Sequence, residues 1–120
     1  YLLILMFSFS ASLAAETKIL AFAGSTRTDS CNKKLVANAA EMARQMGVKV
    51  TVIDLRDYPI PFYDGDLEKN CGMPENAKKI RNMMLASDGV IISSPEYNGS
   101  LSGVLKNLID WMSRSEEGEG

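Results

Sequence analysis

Two rhythms of apolar residues alternate along this chain. Solid apolar runs of a few residues are followed by longer stretches in which apolar positions recur every three or four. The run Lys18 to Ala23, KILAFA, ends at Gly24 and reads as a strand buried on both faces. From Asn32 to Met46 the spacing turns helical, with Leu35, Ala39, Met42 and Met46 as the expected buried stripe and Gly47 as the stop. Val48 to Leu55 is rich in β-branched residues and predicts a second strand. Arg56 to Met73, with Pro59, Pro61, Gly65 and Gly72, predicts a long irregular connection. Connections longer than about 12–15 residues tend to be functional or mobile. Pro74 opens a helix running to about Ala86, with Ala77, Ile80 and Met84 on its inner face. Ser87-Asp88-Gly89 closes it, and Gly89 to Ser93 predicts a third strand. A loop beginning at Ser94 leads to a last helix, whose buried stripe is Leu101, Leu105, Leu108 and Met112.

The order β-α-β-α-β-α argues for a parallel sheet with right-handed crossovers. The expected fold class is therefore α/β, a doubly wound three-layer α/β/α sandwich. Only three β-α units are present, so one edge of the apolar third strand, which would normally sit centrally, is expected to lack a neighbour. We therefore expect residues 16–114 to be the N-terminal part of a larger domain. Ser115 to Gly120 is an acidic, Gly-rich end without structural signal. Residues 1–15 fall outside the fold. They begin at Tyr1, are apolar and Ser-rich, and carry small residues spaced as in a signal-peptidase site at Ser12-Leu13-Ala14. This run is too short for a comfortable membrane span. It reads either as the h-region of a signal peptide that has lost its basic flank or as upstream sequence translated in error.

Composition narrows the chemistry. The 120 residues carry a net charge of −2, so no basic face is implied and nucleic acid is not an expected partner. There is no histidine, which removes the commonest general base and metal ligand, and no metal site is expected. Two cysteines, Cys31 and Cys71, suggest neither a disulfide framework nor a zinc site; free thiols in a reducing compartment are the simpler reading.

Two loops carry the remaining chemistry. Gly24 to Asn32 leaves the carboxyl end of the first strand and enters a helix. It offers hydroxyls at Ser25, Thr26, Thr28 and Ser30, a guanidinium at Arg27 and an amide at Asn32. Free N–H groups at the helix N-terminus add partial positive charge, and a phosphate monoester is the natural guest. Arg27 suits bidentate contact with it. The plain alternative is a helix cap at Ser30 or Asn32, which uses the same N–H groups. A Walker loop and a dinucleotide fingerprint are both excluded, because their second glycines are missing. A low-molecular-weight phosphatase would need an arginine six residues after its cysteine, and Ala37 stands there after Cys31. Cys31 therefore reads as a small buried or half-buried residue, with Asp29 opposing activation of its thiol. The second loop, Pro95-Glu96-Tyr97-Asn98-Gly99-Ser100, also follows a strand and precedes a helix, where open α/β sheets bind ligands. Tyr97 offers an aromatic surface, Asn98 donors and acceptors, and Gly99 close backbone approach; a plain turn is the alternative.

Together the loops resemble the NADPH-dependent FMN reductase family of flavodoxin-like proteins, which includes quinone, azo-dye and chromate reductases. Its first motif, GSxRxxSxN, is matched by Gly24, Ser25, Arg27, Ser30 and Asn32. Its second, PEYNxSxxGxLKNxIDW, is matched from Pro95 to Trp111. The resemblance implies FMN as cofactor and NADPH or NADH as electron donor. It implies that Ser25, Arg27, Ser30 and Asn32 hold the phosphate, with Thr26 and Cys31 beside them. Pro95, Glu96, Tyr97, Asn98 and Gly99 would line the isoalloxazine ring, with Glu96 solvated at the loop edge or shaping the site. No catalytic side chain is expected, because the hard chemistry belongs to the flavin. The family's usual proline is replaced by Ser102, which can cap the following helix. The resemblance covers about Lys18 to Trp111, and family members continue with further strands, helices and a Gly-rich loop.

The expected function is electron transfer from NAD(P)H through FMN to a quinone or similar small acceptor. The alternatives are a flavodoxin-type electron carrier and a non-functional fragment. Flavodoxin phosphate loops lack this arginine, so Arg27 favours the reductase. The resemblance further implies a homodimer or homotetramer, no stable membrane insertion and a cytoplasmic location, with export as the alternative if residues 1–15 are a true leader.

Overall fold

The computed structural model describes residues 16–114; the expectations for residues 1–15 and 115–120 lie outside them. The first strand, β1 (Lys18–Ala23), pairs in parallel with β2 (Lys49–Val52) on one side and β3 (Gly89–Ser93) on the other, giving the order β2-β1-β3. Helix α1 (Cys31–Gln45) covers one face of this sheet. Helices α3 (Glu75–Leu85) and α4 (Gly103–Met112) cover the other, so the α/β/α layering is as expected. Short helix α2 (Gly65–Cys71) packs beside α4 through the cluster of Met73, Ala77 and Trp111.

β1 divides the core by size. Leu20 and Phe22 point to one face and pack with Leu55, Ile80, Leu105 and Leu108. Burying each such side chain contributes about 1.5–3 kcal/mol. Ala21 and Ala23 point to the other face, with Val36, Ala40 and Val50.

This asymmetry corrects the expected inner stripe of α1. The buried positions are Val36 and Ala40, while Leu35, Met42 and Met46 are 59%, 67% and 83% exposed. Two apolar stripes run along this helix, offset by one residue. The alanine face of β1 accepts the smaller one, because only small side chains let helix and sheet approach closely.

Three further boundaries differ from expectation. β2 stops at Val52, because Asp54 accepts a hydrogen bond from the Arg56 N–H and starts a 3-10 turn over Leu55–Asp57. That turn carries Leu55 into the core. The connection from Arg56 to Met73 is not irregular throughout: Asp64 caps α2 by accepting from Asp66 N and Leu67 N. Leu101 lies outside α4 and is exposed, and Trp111 is fully buried on that helix instead. β3 stands at the sheet edge, with Val90 and Ile92 partly exposed and no further strand beside it among the described residues. No helix among the described residues is long and apolar enough to cross a membrane.

Candidate functional site

Both expected loops leave the carboxyl ends of adjacent strands, β1 and β3. Three hydrogen bonds tie them together. The Gly24 N–H donates to Ser93 O (2.8 Å). The Ser102 hydroxyl donates to Gly24 O (2.6 Å). The Ser93 hydroxyl donates to Asn32 Oδ1 (2.6 Å). Gly24 is needed because a Cβ there would lie 3.0 Å from Ser94 Oγ and 3.1 Å from Leu105 Cβ. The start of the first loop thus sits directly on α4.

The first loop mixes buried and exposed polar groups. Ser25 and Ser30 are buried, and Thr26, Arg27, Thr28 and Asp29 are exposed. Ser30 is the N-cap residue of α1, but its side chain makes no capping hydrogen bond. The first-turn N–H groups of α1 therefore have no side-chain acceptor from the cap residue. The Arg27 guanidinium has no carboxylate partner among the described residues, whereas Lys34 pairs with Asp29 at 2.6 Å. These features suit a phosphate monoester. Asn32 contributes differently from the others. Ser93 occupies its carbonyl oxygen, leaving its Nδ2 as the donor for a ligand. Cys31 is exposed at the first position of α1, not buried or half-buried as expected, and its thiol is free, as is that of Cys71. Cys31 lies off the inward face of α1, which Val36 and Ala40 set.

The second loop is a tight hairpin, β4 (Glu96–Tyr97) paired with β5 (Ser100–Leu101). Asn98 and Gly99 form its two-residue turn with φ of 52° and 74°. Asn-Gly is the preferred pair for a turn with two positive φ values, and it was the local signal for this hairpin. Glu96 shapes the turn: its Oε1 accepts from the Gly99 N–H at 2.8 Å. Tyr97 stands half-exposed on this rigid hairpin, and Pro95 is partly buried at its base. An aromatic face beside a polar edge suits a flat heteroaromatic ring.

The rest of the second motif anchors the site from behind. Trp111 Nε1 donates to Pro61 O (2.8 Å), and Asn107 Nδ2 donates to the same oxygen (3.0 Å). Asn107 Oδ1 accepts from the Tyr63 N–H (2.8 Å). Sequence reasoning left both residues without a role, and only their place in the motif marked them. They hold the Pro59–Tyr63 segment against α4. A cavity of about 300 Å³ results between this segment, α4 and the first loop. Arg56, one of its lining residues, is bonded through its guanidinium to the Thr28 hydroxyl. Burial alone would raise the pKa of nearby Asp54, but the Lys33 ammonium at 2.6 Å and the Arg56 N–H lower it below the ordinary carboxylate value. Among the described residues no cluster of three His, Cys, Asp or Glu side chains could hold a metal.

Comparison with known proteins bears on this geometry. Residues 17–120 match the family of NADPH-dependent FMN reductases. A relative from Solanum tuberosum named NAD(P)H:quinone oxidoreductase is 36% identical over 99 residues, which are 81% of this chain and 50% of that protein. The quinone reductase of Escherichia coli strain K12 is 33% identical over 85% of this chain and 53% of its own length. Among solved structures, the flavoenzyme NAD(P)H:(acceptor) oxidoreductase FerB from Paracoccus denitrificans superposes with a TM-score of 0.68 at 30% identity. That superposition covers 85% of this chain and 53% of FerB. The chain spans about half the length of the relatives it matches.

Proposed function

The chain belongs to the NADPH-dependent FMN reductase family, and on that premise we propose that it acts as an NAD(P)H-dependent FMN oxidoreductase on quinones or similar small acceptors. Ser25, Arg27, Ser30 and the Nδ2 of Asn32 hold the FMN phosphate, with Thr26 and Cys31 flanking it. Pro95, Glu96, Tyr97, Asn98 and Gly99 line the isoalloxazine ring. The observation that carries this reading is the joining of the two loops at one sheet edge, with an uncapped helix N-terminus and an unpaired guanidinium on one side and a rigid aromatic hairpin on the other.

When bound, FMN would supply the redox chemistry, hydride uptake from a nicotinamide donor and electron delivery to the acceptor. The chain's own residues bind and orient it. Arg27 and the α1 N–H groups would neutralise its phosphate, and the hairpin would offer Tyr97 and a polar edge to its ring. Glu96 is spent on its own turn, so it acts as a brace and not as a general acid. A flavodoxin-type carrier would hold the same FMN without itself oxidising NAD(P)H.

Flavin fluorescence quenching measures the first step. Arg27→Ala removes a charge-assisted contact worth about 1.5–3 kcal/mol, so FMN affinity is expected to fall about 10- to 100-fold. Unchanged affinity would sink the phosphate assignment. NADPH oxidation with and without a quinone then separates enzyme from carrier. We also propose self-association as a dimer or tetramer, supported by the apolar surface at Phe62, Leu101 and Ile109 and read by sedimentation velocity. A cytoplasmic location fits the two free, exposed thiols.

A further inference from the structure

The first loop is fastened firmly at its start, where the Gly24 main chain is tied to Ser93 and Ser102. Residues 26–29 are exposed and have few partners. The Arg27 N–H donates to Ser25 Oγ (3.3 Å), and Asp29 pairs with Lys34, so both contacts stay within the loop and its own helix. The Asp29–Lys34 pair is also well solvated, and exposed pairs hold little. Among the described residues, one side-chain hydrogen bond joins residues 25–29 to another element. The Arg56 guanidinium donates to the Thr28 hydroxyl, 28 residues away in sequence and next to Arg27.

Arg56 is itself held by Asp54. Asp54 Oδ1 accepts from the Arg56 N–H (3.0 Å) and starts the 3-10 turn, which Leu55 pins in the core. Asp54 Oδ2 accepts from Lys33 Nζ (2.6 Å), 21 residues away on the first turn of α1. Both partners are partly buried, so solvent screens this pair less than the Asp29–Lys34 pair. Burial opposes the ionised form of Asp54, and Lys33 and Arg56 favour it. These contacts close a ring: along the chain from Thr28 to Lys33, then to Asp54, to Arg56 and back to Thr28. Ser30, Cys31 and Asn32 lie within the span that the ring encloses.

We propose that Asp54 is a positioning residue of the phosphate site: its carboxylate joins the first turn of α1 to the turn that carries Arg56, and Arg56 holds Thr28, which keeps Arg27 beside the helix N-terminus. Asp54 touches no ligand itself and acts through Lys33 and Arg56. Without the ring, residues 26–29 have only local contacts and can swing on the end of α1. A loop that is in its binding conformation only part of the time binds its guest weaker by that fraction. This inference rests on the flavin reading, in that the phosphate of FMN is the guest for which the loop is held.

The test compares FMN with lumiflavin, which has the ring but no phosphate, by fluorescence quenching on the full chain. Asp54→Asn keeps an acceptor for the Arg56 N–H and removes the charge that holds Lys33. It is expected to weaken FMN about 3- to 10-fold, as for a loop competent about a third to a tenth of the time, and to leave lumiflavin within about twofold. Thr28→Val, at an exposed position, cuts the far end of the ring and is expected to do the same. Adding Asp54→Asn to it should weaken FMN no further, because both act on one set of contacts. Asp54→Glu, which keeps the carboxylate, should recover part of the affinity. In the flavin-free chain, amide order parameters of residues 26–29 should fall in both single variants, from about 0.85 toward about 0.6. Unchanged FMN affinity in either single variant, equal losses of FMN and lumiflavin, or additive losses in the double variant each overturn the proposal. If Asp54→Asn does not fold, Thr28→Val alone decides it. A parent chain that binds no FMN, with order parameters that fall as expected in the variants, upholds the ring and overturns the flavin reading; unchanged order parameters overturn the ring.

Discussion

Replacing Ser102 by alanine tests how the two loops are joined. Its hydroxyl is buried and acts in two directions. It accepts from the Leu105 N–H at 3.4 Å, capping α4, and donates to Gly24 O at 2.6 Å. The first contact is long, so its loss belongs near the low end of the cap range, about 0.5–1 kcal/mol. The second is short and leaves a buried carbonyl without a side-chain partner, at about 1–3 kcal/mol. Ser102→Ala is therefore expected to lower unfolding free energy by about 2–3 kcal/mol, since neighbouring terms do not add fully. Urea titration followed by far-ultraviolet circular dichroism reads this as a lower midpoint at unchanged slope. Ser102→Pro provides the internal control. The backbone here has φ −62° and ψ 149°, which proline adopts without strain. The proline variant loses both hydrogen bonds but regains about 0.4–1 kcal/mol from a stiffer unfolded chain, and should be the more stable of the two. An alanine variant within about 0.5 kcal/mol of the parent, or a proline variant weaker than the alanine one, would refute the reasoning.

Gly24→Ala places a methyl 3.0–3.2 Å from Ser94 Oγ and from Leu105 Cβ and Cδ2, and overpacking of this kind costs about 1–3 kcal/mol; a urea midpoint equal to the parent's would contradict it. The Arg114 guanidinium and then the Tyr63 hydroxyl hydrogen-bond to Glu68 and hold its carboxyl below the ordinary value of 4.5. A lowered folded pKa means that this contribution is present above 4.5 and is lost as pH falls through the folded value. The gap in urea midpoint between the parent and Glu68→Gln should therefore be wide at neutral pH and narrow in acid, and a gap that does not change with pH would count against the ion pair.

How much of this was legible depends on how local each cause is. β1 was readable because burial on both faces leaves an unbroken apolar run. The inward face of α1 was not, because Leu35–Met42–Met46 and Val36–Ala40 are both valid helical stripes, and the choice belongs to Ala21 and Ala23 on another element. Asn98-Gly99 and Asp64 did carry local signals, for a hairpin and a helix cap, inside stretches read only as loop. The hydroxyls, Arg27 and Tyr97 marked the two loops as candidates by type and order. Asn107 and Trp111 did not, because their partner is a main-chain oxygen 46 and 50 residues away. Arg56 was equally silent, because its guanidinium bonds to the Thr28 hydroxyl 28 residues away.

The hydrogen bond from Ser93 to Asn32 fixes the spacing of the two loops, and FMN is then a bivalent guest with a phosphate at one end and a ring at the other. On the proposed site, seating the phosphate would deliver the ring to the hairpin at an effective concentration set by the short ribityl tether, on the order of millimolar. Riboflavin has the same ring but no first foothold, so such a site would distinguish the two flavins by geometry even where the ring contacts are identical.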